Sequence, residues 1–243
     1  MTTDMVKPVL LLIPGMLNTA RIWGRVVPLL QDAADIRIAD VTTQSSIANM
    51  ARDAWALVAD VPATQRLVVC GFSMGGYVAL ELIATHLVAV KDHSTWATAL
   101  LNTLSRAETA EGIMTREKTI AAMERDFERV IQGVATFGIH KPHHADTVLM
   151  TDALSIMREA GAQAGMRQLR AIMPQADQGL LLPRIQARVL VMGSRSDLVV
   201  PPDASEDMAA GIPGAQLEWI EPAGHMTPLE QPVQLASLLK TLF

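Results

Sequence analysis

The sequence predicts an α/β protein built on a doubly wound, mostly parallel sheet with a helical segment inserted in its second half. Three observations carry that prediction. Short apolar runs recur along the chain, each ending at turn residues. Most are followed by a pattern of helical period. The runs are continuous rather than alternating, as strands buried on both faces of a parallel sheet must be. The chain has 243 residues, of which 50% are hydrophobic and 19% charged. Its mean hydropathy is +0.25. That composition supports a large core and excludes intrinsic disorder.

In chain order, strands are expected at Val9–Ile13, Ile36–Asp40, Leu67–Cys70, Ala99–Asn102, Arg188–Gly193 and Gln216–Ile220. Helices are expected at Arg21–Gln31, Ile47–Val58, Gly75–His86, about 206–211, and Pro232–Leu242. Ser45 and Ser46 offer side-chain oxygens to cap the second of these. Alternation of this kind winds right-handed crossovers on both faces of the sheet. It fails between Ser105 and Pro183, where amphipathic helical patterns follow one another without a strand. So long a connection exceeds one crossover helix. The expected organisation is therefore a core of residues 1–104 and 184–243 with a helical cap, residues 105–183, inserted into it.

Charge and cysteine content narrow the function classes. A net charge of −5 argues against a nucleic-acid partner, which needs a basic stripe. One cysteine allows no intramolecular disulfide and no thiolate-rich zinc site. Cys70 falls inside an expected strand and reads as a small buried hydrophobe. The N-terminus lacks a basic region and a long apolar stretch, and the longest apolar candidate, Leu87–Leu101, carries Lys91, Asp92 and His93. A cytoplasmic protein without a membrane partner is expected. No phosphate-cradling glycine motif is present, so no cofactor is expected. The cluster His140-Lys141-Pro142-His143-His144 has metal-binding residue types, but Pro142 breaks the helix that would align them, and a solvated loop is the better reading.

The chemistry is carried by Gly71-Phe72-Ser73-Met74-Gly75-Gly76, where an apolar run turns directly into a helical pattern. A serine on so sharp a turn needs small residues two before and two after it, and Gly71 and Gly75 supply them. Gly76 and Ala79 allow the helix to lie close on the sheet. The helix N-terminus aims free N–H groups and its dipole at developing negative charge. A serine hydroxyl is a weak nucleophile until a base removes its proton and a third group orients the base. The chain order serine, acid, histidine predicts partners after later strands. His225, beside Gly224 in a loop five residues beyond the last expected strand, is the candidate base. Asp197, just past the strand ending at Gly193, is the candidate acid.

These segments resemble the α/β-hydrolase superfamily, in particular small bacterial esterases and enol-lactonases. The resemblance runs from Leu11-Leu12-Ile13-Pro14-Gly15-Met16, with Trp23 beyond it, through Gly71–Leu80, to Ala223-Gly224-His225-Met226-Thr227-Pro228-Leu229-Glu230-Gln231-Pro232. It implies an oxyanion hole formed by the backbone N–H groups of Met16 and Met74. Many relatives have His-Gly where this chain has Pro14-Gly15, a change that leaves a backbone donor in place. The function it implies is hydrolysis of a small, largely apolar carboxylic ester or lactone through an acyl-enzyme on Ser73. The alternatives are the same scaffold serving as a lyase, C–C hydrolase or perhydrolase, or as a slow-turnover ligand receptor. Asn102, at the end of another expected strand, is not an acid and offers no rival to Asp197.

Overall fold

The computed structural model describes residues 6–90 and 92–243. The first five residues, part of the segment read above as lacking a leader, lie outside it, as does Lys91 of the Leu87–Leu101 run. Among the described residues six strands form one sheet: β1 (Val9–Ile13), β2 (Asp35–Ile38), β3 (Leu67–Phe72), β4 (Trp96–Leu101), β5 (Arg188–Gly193) and β6 (Gln216–Trp219). Their spatial order is β2-β1-β3-β4-β5-β6, and every pair is parallel. The chain moves outward from β1 to β2, then returns to place β3 on the other side of β1. That reversal makes the crevice beyond β1 and β3 the switch point where ligands bind in such sheets.

The four inner strands are buried almost throughout, whereas β2 and β6, at the edges, are half exposed. Along β1 the side chains part cleanly. Leu10 and Leu12 enter one apolar cluster, and Val9, Leu11 and Ile13 enter the other on the opposite face. Strand β4 begins three residues before the expected Ala99, because Trp96, Ala97 and Thr98 are also buried in the sheet. Thr98 hides its hydroxyl by donating to the Val69 carbonyl at 2.9 Å. That bond makes a polar residue acceptable at a core position.

The expected helix Arg21–Gln31 divides into a 3-10 turn, Ala20–Trp23, and a short helix α1 (Val27–Leu30). Gly24 and Pro28 explain the division, since proline is tolerated only in a first helical turn. Helix α2 (Ile47–Ala56) is capped by Ser46, whose Oγ accepts from the Asn49 N–H at 3.2 Å. Helix α3 (Met74–Leu82) continues into a π-turn, Ile83–Leu87.

Between β4 and β5 the chain forms α4 (Ala110–Arg125), α5 (Phe127–Gly138) and α6 (Thr147–Ile172), the last interrupted at Gly161 with φ +82°. Asp126 separates α4 from α5 and caps the second, accepting from the Arg129 N–H at 3.0 Å. Helix α7 (Pro202–Gly211) starts earlier than expected, at a proline suited to its first turn. A short helix α8 (Thr227–Glu230) and α9 (Pro232–Lys240) follow β6. Among the described residues no helix is long and apolar enough to cross a membrane.

Two glycines separate packing from propensity. A Cβ on Gly75 would collide with the backbone carbonyls of Ile13 and Pro14, whereas a Cβ on Gly133, midway along α5, would meet nothing within 4 Å. Gly75→Ala is expected to destabilise the fold by at least about 1–3 kcal/mol. Gly133→Ala should stabilise it by about 0.4–1 kcal/mol. Urea midpoints at constant m-value check both signs.

Candidate active site

Strand β3 runs into α3 with a single residue, Ser73, between them. Its backbone is held at φ +54°, ψ −121°, on the left-handed side that a non-glycine residue rarely adopts. Such a conformation costs of order 1–3 kcal/mol and persists only when its surroundings over-determine it. Here the Ser73 N–H donates to the Leu101 carbonyl at 2.9 Å. The Ser73 carbonyl accepts from the Thr103 hydroxyl and the Gly76 N–H, each at 2.8 Å. The turn closes only because no Cβ stands in the way: one on Gly71 would overlap the Gly75 carbonyl, and one on Gly76 would overlap the Thr103 side chain.

His225, in the loop between β6 and α8, reaches Ser73 from above the sheet edge. Its Nε2 lies 2.9 Å from Ser73 Oγ and its Nδ1 2.8 Å from Asp197 Oδ2. An ionised carboxylate only accepts, so Nδ1 carries the proton, and in the neutral ring Nε2 accepts from the serine hydroxyl. The Phe72 ring packs 5.2 Å from the imidazole. The three residues thus form one hydrogen-bonded chain, with the connectivity of a base-activated nucleophile.

Asp197 is 5% exposed and stands in the turn after β5. Its Oδ1 accepts from the Val199 and Val200 N–H groups at 2.8 and 2.9 Å. Its Oδ2 accepts from His225 and also from Asn102 Nδ2, at 2.8 Å. Asn102 sits just past β4 at φ +46°, and its Oδ1 accepts from the Thr227 hydroxyl at 2.7 Å. Asn102 was set aside in the sequence because it cannot serve as the acid. In the structure its amide holds the Asp197 carboxylate. An asparagine at a strand end, tolerant of positive φ, is the one local signal that marks it.

Met16 and Met74 line a pocket of about 90 Å³ at Ser73, together with Tyr77, Leu104, Ile172, Val199 and others. Beyond Met16, Leu17 is held at φ +58° and its N–H is taken by Gln168 Oε1 at 2.8 Å. Burial pushes the Tyr77 phenol up to about 12, so it stays protonated. Arg116 of α4 also reaches this pocket and pairs with Glu108. A wider groove of about 890 Å³, sharing no lining residue with it, lies between α5 with the turn that follows and Ser196 and Leu198. None of Ser73, Asp197 and His225 lines that groove, whereas Ser73 lines the smaller pocket.

Cys70 is fully buried in β3, and burial pushes its thiol well up. The histidine cluster forms a 3-10 turn, Lys141–Ala145, after α5. None of its residues is buried, and within it His143 Nδ1 bonds Glu230 Oε2 at 2.8 Å and His144 Nε2 meets the Ile139 carbonyl at 3.0 Å. Among the described residues no group of three or more His, Cys, Asp or Glu side chains could hold a metal ion.

Burial alone would raise the Asp197 carboxyl. The His225 charge and the hydrogen bonds from His225, Val200 and Asn102 outweigh it and hold the group below the usual carboxylate range. A depressed folded value stabilises the fold fully above the unfolded value of about 3.9, and that stabilisation is lost as pH falls through the folded value. Unfolding free energy should therefore fall below about pH 4 more steeply in the wild type than in Asp197→Asn. Denaturant titrations across that window check the difference in slope.

Residues 10–238 match the model of the Alpha/beta hydrolase family. The chain is 24% identical over 245 residues to a pimeloyl-[acyl-carrier protein] methyl ester esterase of Nitrosomonas europaea, covering 97% of this chain and 95% of that protein. Among solved structures, an esterase from Thermogutta terrifontis superposes with TM-score 0.83 at 21% identity, over 97% of this chain and 89% of that one. An enol-lactonase from Burkholderia xenovorans superposes with TM-score 0.80 at 19% identity, over 97% and 91%. A match spanning nearly the whole sheet and both ends of the site settles the family. The chain belongs to the alpha/beta hydrolase family.

Proposed function

We propose that this protein is a serine hydrolase that cleaves a small, largely apolar carboxylic ester or lactone. The observation that carries the reading is the unbroken chain Ser73 Oγ–His225–Asp197, with contacts of 2.9 and 2.8 Å, at the switch point of the sheet. Ser73 Oγ attacks the carbonyl carbon while His225 Nε2 takes its proton. The resulting oxyanion accepts hydrogen bonds from the Met16 and Met74 N–H groups, the donors of the oxyanion hole. Collapse expels the alkoxide, which takes the proton back from His225. Water then attacks the acyl-enzyme with His225 as base, and the acid and free Ser73 are released. Asp197 keeps the imidazole in the productive tautomer and offsets its charge. The name of the Nitrosomonas relative, a methyl ester esterase, supports an ester bond as the target.

Residues 105–183 act as a cap in this reading. In its support, Arg116 of α4 and Ile172 of α6 both line the Ser73 pocket, and Gln168 of α6 binds the turn that bears Met16. Met16, Met74, Leu104, Ile172, Val199 and Val200 give the pocket a largely apolar wall beside Tyr77 and Thr103, which suits an uncharged acyl group of modest size. The cap also keeps water from the acyl site.

Ser73→Ala should lose about 10⁶ in kcat on short p-nitrophenyl esters and all labelling by a fluorophosphonate. Asp197→Asn should lose about 10⁴ in kcat. A Ser73→Ala enzyme retaining a tenth of the activity would sink the reading. Ile172→Ala, which enlarges the pocket from the cap side, should shift kcat/KM toward longer acyl chains. The expected size is about 1–3 kcal/mol for each methylene-sized change. Its labelling by a small fluorophosphonate should stay near the wild-type rate.

A further inference from the structure

A second enclosed acid lies close to His225, and the proposed chemistry does not use it. Glu230 ends α8, and its side chain is 0% exposed. A carboxylate removed from water must be met by donors, and three converge on this one. The Gly224 N–H donates to Oε1 at 2.9 Å, while the His140 N–H and His143 Nδ1 donate to Oε2 at 2.9 and 2.8 Å. Gly224 immediately precedes His225. On the other side, the His225 and Met226 N–H groups both donate to the Gly138 carbonyl, at 2.6 and 3.3 Å. The two backbones lie so close that a Cβ on Gly224 would stand 2.6 Å from the Gly138 oxygen and 2.7 Å from the His140 nitrogen. One carboxylate thus joins the loop carrying the histidine to the turn after α5.

We infer that Glu230 is a positioning residue for His225. Its role is to hold residues 224–226 against residues 138–143 so that the imidazole spans Ser73 and Asp197. The inference rests on the serine-hydrolase reading. The fastening is made through the backbone, so it controls where the ring stands rather than its chemistry. A misplacement of about 1 Å at a reacting group can cost about 10²-fold in rate.

The test uses Glu230→Gln, which keeps the shape of the side chain. An amide has one acceptor oxygen, so in either orientation its NH₂ faces a backbone N–H that Glu230 now accepts. On short p-nitrophenyl esters, kcat is expected to fall about 10- to 100-fold with KM within about twofold. Fluorophosphonate labelling of Ser73 should slow in parallel, with near-ultraviolet circular dichroism unchanged. His143→Ala leaves both backbone bonds in place and should lose less, about 3- to 10-fold in kcat. Lys141→Ala, which removes no contact to Glu230, is the control. If Glu230→Gln fails to fold, His143→Ala decides on the same readouts. A folded variant with kcat and labelling rate unchanged, or with the whole loss in KM, overturns the inference. Wild-type protein that is not labelled at Ser73 overturns the serine-hydrolase reading itself, and the inference with it.

Discussion

The turn between β3 and α3 is the constraint from which the rest of the molecule follows. A serine with φ +54° is unfavourable in isolation. It is stable here because the carbonyl of Gly75 lies over Gly71, and the carbonyls of Ile13 and Pro14 lie over Gly75. Those contacts require β1 beside β3, and the reversal of winding between them leaves a crevice above the turn. The same proximity carries the segment after β1, with Met16, to the edge of the Ser73 pocket. Backbone strain, strand order and pocket are one steric solution.

The electrostatic arrangement is built around a histidine held from two directions. Asp197 acts on its ring, and Glu230 acts on its backbone through Gly224. Both acids are buried, and each is met by donors from its own stretch of chain and from segments distant in sequence. Asp197 is served by Val199, Val200, Asn102 and His225, and Glu230 by Gly224, His140 and His143. Buried carboxylates so fully paired have little freedom to turn, because any rotation would leave a donor unmatched. Precision at the histidine therefore comes from side chains of the core and of the inserted helices together.

Much of this was legible in the sequence, for identifiable reasons. The inner strands are buried on both faces, so their apolar runs stand out, and Val9–Ile13 and Arg188–Gly193 fall where expected. The glycine spacing around Ser73 is a local steric requirement and leaves a local trace. The sequence also named His225 and Asp197, which the structure places in one hydrogen-bonded chain with Ser73. What stayed hidden depends on contacts across long separations. Asn102 meets Asp197 across 95 residues, Leu17 meets Gln168 across 151, and Glu230 meets His140 across 90. None of these pairs is implied by composition or period. The broken helix after Thr19 and the early start of β4 were missed for a different reason. Gly24, Pro28 and Thr98 act through turn geometry and hydrogen bonding, which hydrophobic pattern does not report.

On the serine-hydrolase reading proposed above, Gln168 has a consequence for the energetics of charge formation at Ser73. Its amide is wholly buried, accepting from Leu17 N–H and donating to the Val41 carbonyl at 2.9 Å, so the orientation of both ends is dictated. The Met16–Leu17 peptide, next to the proposed Met16 donor, is thereby fixed before any ligand arrives. Water around a developing oxyanion has to reorient, and that reorganisation forms part of the barrier in solution. Dipoles clamped by an interior amide respond with almost no rearrangement. On that reading, a residue of α6 that touches no reacting atom gives the site the character of a rigid, pre-polarised solvent.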